Sequence, residues 1–406
     1  MTDDLADAVE RGPGGPLSGV RVLDLTSVLM GPYATQLLGD LGADVITVEP
    51  AGGDPNRSMG DGPHPQLSGI ALNLLRNKRN ISLDFKHPAG HKALLDIVAT
   101  CDVLVTNLRP STLRRARLDY RHVAAVRPDI VFCQAHGYPS DGPRADDPAY
   151  DDVLQAESGI ADAMSHITGS PTLPASVIVD KVSGLFIANA VLAALYRRAV
   201  TGEGQRVEVP MSDVASGFTL VEHGAGAIAR PARGHAGYAR VLVPSRRPWP
   251  TRDGWIAVLP YTKRQWDAVF EAGGRRDLLG DDRYSTGRKR TANANFLYEQ
   301  VGAMLAERTT GEWLAIFREC DVPAAEVGRL DDIVDRLPEA EHPVGGRYKV
   351  IPPAVRFSLT PQSVRRPAPL IGEHTEEVLT EVGYEASGIA LLRESGVFPE
   401  VTEEFS

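Results

Sequence analysis

Cysteine is scarce in this 406-residue chain, and the three present, Cys101, Cys133 and Cys320, are far apart and odd in number. No CxxC pair or Cys/His cluster offers metal-ligand spacing, so the sequence gives no reason to expect a zinc site or a disulfide framework. A reducing compartment is the simple reading, which makes the expected location cytoplasmic. Positive charge is also short: 43 Lys and Arg stand against 53 Asp and Glu, a net charge of −10. A dedicated nucleic-acid binder rests on basic patches and is excluded on that ground. Long apolar runs are missing too. The longest strongly apolar segment, Ile187 to Tyr196, is too short to span a bilayer, so no membrane partner is expected. The first residues, Met1 to Gly15, lack a basic region followed by an apolar stretch and read as a mobile arm rather than a secretory signal. No GxxxxGK[ST], GxSxG or HExxH occurs, which removes P-loop NTPases, nucleophile-elbow hydrolases and zincins. Gly224 to Ala229 fits a loose GxGxxA, but it follows no clear strand and lies past the first βα turn where a dinucleotide fingerprint belongs.

What is present is a strand–helix alternation. Val20 to Leu25 is an apolar run predicted as a buried strand, Gly31 to Leu41 a helix with Pro32 near its start, and Asp44 to Val48 a second strand. This spacing is that of a parallel βαβ unit. It repeats through an extended segment at Ile81 to Phe85, a helix at Gly90 to Thr100 and a strand at Asp102 to Val105. A helix near Thr112 to Leu118 and a strand at Ile130 to Gln134 follow. A long helix around Ser183 to Val200 ends in a glycine-rich turn, and Val207 to Val209 is a further strand. The predicted class is α/β, a doubly wound Rossmann-like large domain with a smaller α+β domain. The expected boundaries are an arm over 1–15, a large domain over 16–223, a small domain over 224–336, and a return linker with a C-terminal part packing on the large domain over 337–406. Within the small domain, strand Gly254 to Leu259 and helices Gln265 to Ala272 and Gly311 to Cys320 are predicted; Glu373 to Val382 is the last predicted helix.

Five segments carry a resemblance. They are VRVLDLTSVLMGPYATQLLGDLGADVITVEP (20–50), NKRNISLDFKHPAG (77–90), DVLVTNLRPSTLRR (102–115), GYPSDGPRADDPAYDDVLQAESG (137–159) and VIVDKVSGLFIANAVLAALYRRAVTGEGQRVEV (177–209). In this order they resemble the family III (class III) coenzyme A transferases, a family that includes formyl-, carnitine- and bile-acid-CoA transferases and shares its fold with α-methylacyl-CoA racemases. The second half matches chiefly through PTRDGWIAV (250–258) and DVPAAEV (321–327).

The resemblance implies an enzyme that moves CoA from an acyl-CoA donor to a small carboxylic acid, with CoA as substrate and no cofactor. It implies an interlocked homodimer, and it makes Asp180 the nucleophile, passing through aspartyl anhydride and aspartyl-CoA thioester intermediates. Covalent catalysis conserves the thioester's transfer potential and divides a hard step into easier ones. By sequence position Asp180 closes the apolar run Val177 to Val179 ahead of a helix, where backbone N–H groups favour negative charge. Aspartate is also a favoured N-cap, and position alone supports that role as well. Tyr150 falls where the racemases carry histidine; a phenol is a poor base near neutral pH, and tyrosine is what the transferases place there. Its bland reading is a core tyrosine with a satisfied hydroxyl. Lys86, Asn107, Leu108 and Arg115 match CoA-contacting positions, and Val28, Met30 and Leu83 match positions packing near the nucleotide or pantetheine. Arg76, Lys78, Arg79 and Arg109 add a basic neighbourhood. Any one Lys or Arg, taken alone, reads as solvated surface charge. Leu29 replaces the glutamine of the formyl-CoA transferases and 233–240 replaces their glycine run, so formyl and oxalyl substrates are not expected. Arg240, Arg246 and Arg247 are candidates for a second substrate carboxylate. The alternatives are an acyl-CoA racemase or isomerase on the same fold, and a non-catalytic acyl-CoA-binding subunit.

Overall fold

The computed structural model describes residues 14–50 and 52–398, so most of the expected N-terminal arm lies outside the described residues. The chain divides into two compact units. One takes the described residues up to Leu154, then Val177–Ala215 and those from Leu337 on; the other takes Gln155–Ser176 and Ser216–Arg336.

The first unit is built on six strands: β1 (Arg21–Leu25), β2 (Asp44–Glu49), β3 (Lys78–Ser82), β4 (Val103–Thr106), β5 (Val131–His136) and β6 (Gln205–Pro210). Their spatial order is β3-β2-β1-β4-β5-β6. Every neighbouring pair runs parallel, with Leu23 opposite Ile46 on one side and Leu104 on the other. This is the doubly wound order, whose switch point lies between β1 and β4. The helices that matter for the site are α1 (Met30–Asp40), α2 (Pro88–Val98), α3 (Pro110–Ala116), α4 (Asp151–Glu157) and α5 (Ile178–Thr201). Leu23, Ile46, Leu94, Ile97, Leu104 and Phe132 form the centre of one core, which Val378 and Leu379 of the helix Thr375–Glu381 complete. A further helix, Ala386–Glu394, follows the one expected to be last.

Two elements differ instructively from expectation. The third strand lies earlier than the predicted Ile81 to Phe85, because its first residues are polar yet fully buried. Lys78 Nζ sits 3.0 Å from Asp24 Oδ2, Arg79 pairs with Asp44, Glu377 and Glu381, and Asn80 donates to Glu49 Oε1 at 2.5 Å. Charges can be buried only when paired and hydrogen-bonded, and an apolar pattern cannot reveal such a strand. Helix α5 begins at Ile178 rather than Ser183. Its 24 residues are long and apolar enough by composition to cross a bilayer. Val179, Ile187, Ala188, Val191 and Ala194 are nevertheless buried inside the protein, as on the inward face of a core helix.

The second unit holds a three-stranded antiparallel sheet of β7 (Trp249–Pro250), β8 (Trp255–Val258) and β9 (Ala324–Glu326). Helices α6 (Lys263–Ala272), α7 (Ala294–Leu305) and α8 (Thr310–Glu319) surround an aromatic core of Trp266, Phe270, Tyr284, Tyr298, Trp313 and Phe317. Capping boxes, Thr262 with Gln265 and Thr309 with Glu312, start α6 and α8 by satisfying N-terminal amides reciprocally. The Gly224 to Ala229 segment is a 3₁₀ turn following a helix, so it is no strand-to-helix phosphate loop.

Candidate active site

In open parallel sheets ligands bind beyond the carboxyl ends of the strands at the switch point. A cavity of about 310 Å³ lies there. The loop after β1 supplies Ser27 to Met30, the loop after β4 supplies Asn107 to Arg109, and the end of β5 supplies His136 and Gly137.

Each wall has a local cause. Asp24, fully buried at the end of β1, accepts from Thr26 N at 3.0 Å and from Thr35 Oγ1 at 2.5 Å, tying the loop back to α1. Val28 then adopts φ +71°, a costly conformation for a β-branched residue. Its N–H donates to both carboxylate oxygens of Asp54, each at 3.1 Å. Burial, and more weakly the Glu49 charge, push the Asp54 carboxyl up to about 7 despite opposing hydrogen bonds from Asn56 and Val28. Asn107 staples the two loops across the switch point: Ser27 N donates to its Oδ1 at 3.1 Å, and its Nδ2 donates to Ser27 O at 2.9 Å.

Asp180 enters from the first turn of α5. It is not the N-cap, a position that Val177 holds. The cap comes instead from Asp151, whose Oδ1 accepts the Asp180 N–H at 2.9 Å. That amide is therefore spent and cannot serve as an oxyanion donor. Burial first, then the negative charges of Asp151 and Asp152, push the Asp180 carboxyl up to about 7. A desolvated carboxylate beside like charges is a strong base and a strong nucleophile once ionised.

Val28, Met30, Asn107, Leu108, Tyr150 and Asp180, all singled out in the sequence, line this cavity together. Tyr150 is 67% exposed, so it is not a core tyrosine. Leu83 is packed into the core beneath the sheet. Lys86 is exposed and outside the lining. Arg115 is exposed too, and donates to Thr112, a lining residue, at 3.3 Å. Arg109 lines the cavity, whereas Arg76, Lys78 and Arg79 are committed to internal ion pairs with Asp40, Asp24 and Asp44. Arg246 and Arg247 line a cavity of the second unit, and Arg240 lines another.

Sequence reasoning missed His136. It is 4% exposed, and its Nε2 lies 3.3 Å from Glu208 Oε1. Burial holds its pKa below the usual imidazole range against the opposing pull of Glu208. The available signal was a polar residue ending an apolar strand of a doubly wound sheet.

The family model for CoA-transferase family III matches residues 17–375. The chain belongs to this family. Succinyl-CoA:glutarate CoA-transferase of Mus musculus is 33% identical over 400 residues, covering 94% of this chain and 90% of that protein. Formyl-CoA:oxalate CoA-transferase of Rhodopseudomonas palustris (strain BisA53) is 29% identical over 413 residues, covering 94% and 96%. Among solved structures, a mutant of Rv3272 from Mycobacterium tuberculosis superposes with a TM-score of 0.79 at 28% identity, covering 91% of this chain and 99% of that one. This family III member is a CoA-transferase with a mixed α/β fold.

Proposed function

We propose that the enzyme passes CoA between carboxylic acids through covalent intermediates on Asp180, and that its acids include small dicarboxylates. Asp180 attacks the thioester carbonyl of the donor, the C–S bond breaks, and CoA thiolate leaves behind a mixed anhydride. The thiolate then attacks the aspartyl carbonyl of that anhydride and releases the donor acid, giving an aspartyl-CoA thioester. The acceptor carboxylate attacks this thioester, expelling thiolate and forming a second anhydride. Thiolate attack on the acceptor's carbonyl yields the new acyl-CoA and frees Asp180. One thioester enters and one leaves, and every step is acyl exchange, so no cofactor is required.

The observation that carries this reading is a desolvated Asp180 in the switch-point cavity, flanked by two further carboxylates. Family membership and the succinyl-CoA:glutarate relative support the transfer chemistry and the choice of acids. The homodimer is proposed with it, supported by an exposed apolar stripe on α5.

The test incubates the protein with succinyl-CoA and glutarate and reads new thioesters by mass spectrometry. Glutaryl-CoA should form, and hydroxylamine should convert Asp180 to a hydroxamate. Asp180→Ala and Asp180→Asn should lose turnover while keeping the fold. Wild-type turnover in the alanine variant would sink the assignment. A parallel tube with a 2-methylacyl-CoA in D2O should show no deuterium at the α-carbon. This arm matters because an imidazole, His136, lines the cavity although Tyr150 stands where a racemase has histidine.

A further inference from the structure

The second unit contains a cavity of about 250 Å³ whose polar wall consists largely of donors. Arg240, Arg290 and Trp266 line it, together with Tyr238, Tyr298 and Thr291. Guanidinium and indole groups donate hydrogen bonds and accept none. No aspartate or glutamate lines the cavity. Among the described residues neither arginine makes an ion pair. Arg240 donates to the hydroxyls of Tyr238 at 3.3 Å and Tyr298 at 3.1 Å, and Arg290 donates to Tyr284 O at 2.9 Å.

The second observation is an orphan. Trp266 is 3% exposed, and its Nε1 is buried with no hydrogen-bond partner. A buried donor left unpaired costs about 1–3 kcal/mol, and native proteins leave few of them. Trp266 is held by Phe270, Tyr284 and Tyr298, with ring centroids 5.6, 6.2 and 6.1 Å away. The indole is thus fixed by packing.

We infer that this cavity is a binding site for the carboxylate of a small organic acid, with Arg240 and Arg290 as its cationic partners and the Trp266 indole in its wall as a reporter. The anion would pair with two cations that have no acidic partner among the described residues. Arginine's fork matches a carboxylate in two parallel hydrogen bonds. The aromatic and proline walls, Tyr261 and Pro260 among them, favour a ligand with an apolar body over a bare inorganic ion. Arg246 and Arg247 are assigned no part: they line a different cavity, where Arg247 packs over the Trp249 ring at 4.5 Å. The inference stands whether or not Asp180 is the nucleophile.

The full-length protein, labelled with ¹⁵N-tryptophan, has four indole groups, and the Trp266 signal is assigned by its loss in Trp266→Phe. Sodium glutarate and inorganic phosphate are titrated separately, without any CoA ester. Glutarate should shift the Trp266 signal saturably, equally well in Asp180→Asn, which separates this site from the chemistry at Asp180. Arg240→Gln and Arg290→Gln should each raise the glutarate Kd about tenfold or more, the loss of a charge-assisted hydrogen bond. The other three indole signals report whether a variant folds; Arg240→Lys, which keeps charge but not the fork, replaces Arg240→Gln if they collapse. A Trp266 signal unmoved by glutarate overturns the inference, as does a shift that survives both arginine variants. A response to phosphate but not to glutarate overturns the assignment to an organic acid.

Discussion

A carboxylate that attacks a thioester must be ionised and poorly solvated at once, and Asp180 meets both demands only above a certain pH. Burial, with Asp151 and Asp152 adding to it, raises the carboxyl to about 7, so the proposed nucleophile is protonated on the acid side. The kcat/KM for donor acyl-CoA reports groups of the free enzyme. It should therefore climb between pH 5 and 8 and reach half its plateau near 7. Asp152 is exposed and contributes only its charge, so Asp152→Asn should move the midpoint to lower pH with little loss of plateau rate. Initial rates across a buffered series check this; a profile flat from pH 5 to 8 in the wild type would contradict it. Asp180 was singled out by the resemblance, but its surroundings were not legible in the sequence. Asp151 caps the Asp180 amide from 29 positions away, a contact that only folding creates. His136 carried no motif, and its role in the wall follows from where β5 stops.

At the scale of elements, the site depends on α5 lying close against α1. Gly184 makes that possible: a Cβ there would stand 2.9 Å from both Met30 O and Tyr33 Cδ1. Met30 lines the cavity and Asp180 sits one turn before Gly184, so any separation of the helices moves Asp180 relative to its wall. Gly184→Ala should cost about 1–3 kcal/mol, as overpacking does, and lower turnover beyond the loss of folded protein. Urea denaturation and active-site titration check the two parts separately; wild-type stability and rate would show that the helices have slack. The apolar strands β1, β2, β4 and β5 were legible because parallel strands covered on both faces are continuously hydrophobic. Strand β3 was displaced in the reading because its inward charges are matched by partners on β1, β2 and the helix Thr375–Glu381. Helix α5 was read too short, since Val177 to Val179 are β-branched and favour extended backbone until tertiary packing overrides them.

At the scale of the molecule, α5 presents a second face that the other described residues leave exposed. Leu185, Phe186, Leu192, Tyr196 and Val200 are all exposed, and Leu185, Leu192, Tyr196 and Val200 recur at helical spacing along one stripe. Soluble monomers rarely expose contiguous apolar patches of this kind, and such patches mark interfaces. A symmetric homodimer buries the same stripe on both copies without needing a second gene product. Light scattering should therefore give twice the 43.7 kDa chain mass at micromolar concentration. Pairing Leu192→Glu with Tyr196→Glu places four carboxylates into a twofold interface, where uncompensated buried charge is strongly unfavourable. That double variant should run as a monomer or fail to accumulate as folded protein, while Lys92→Glu, on an exposed position of α2, should leave the mass unchanged. Either a wild-type mass of one chain, or a double variant that stays dimeric, would remove α5 from the interface.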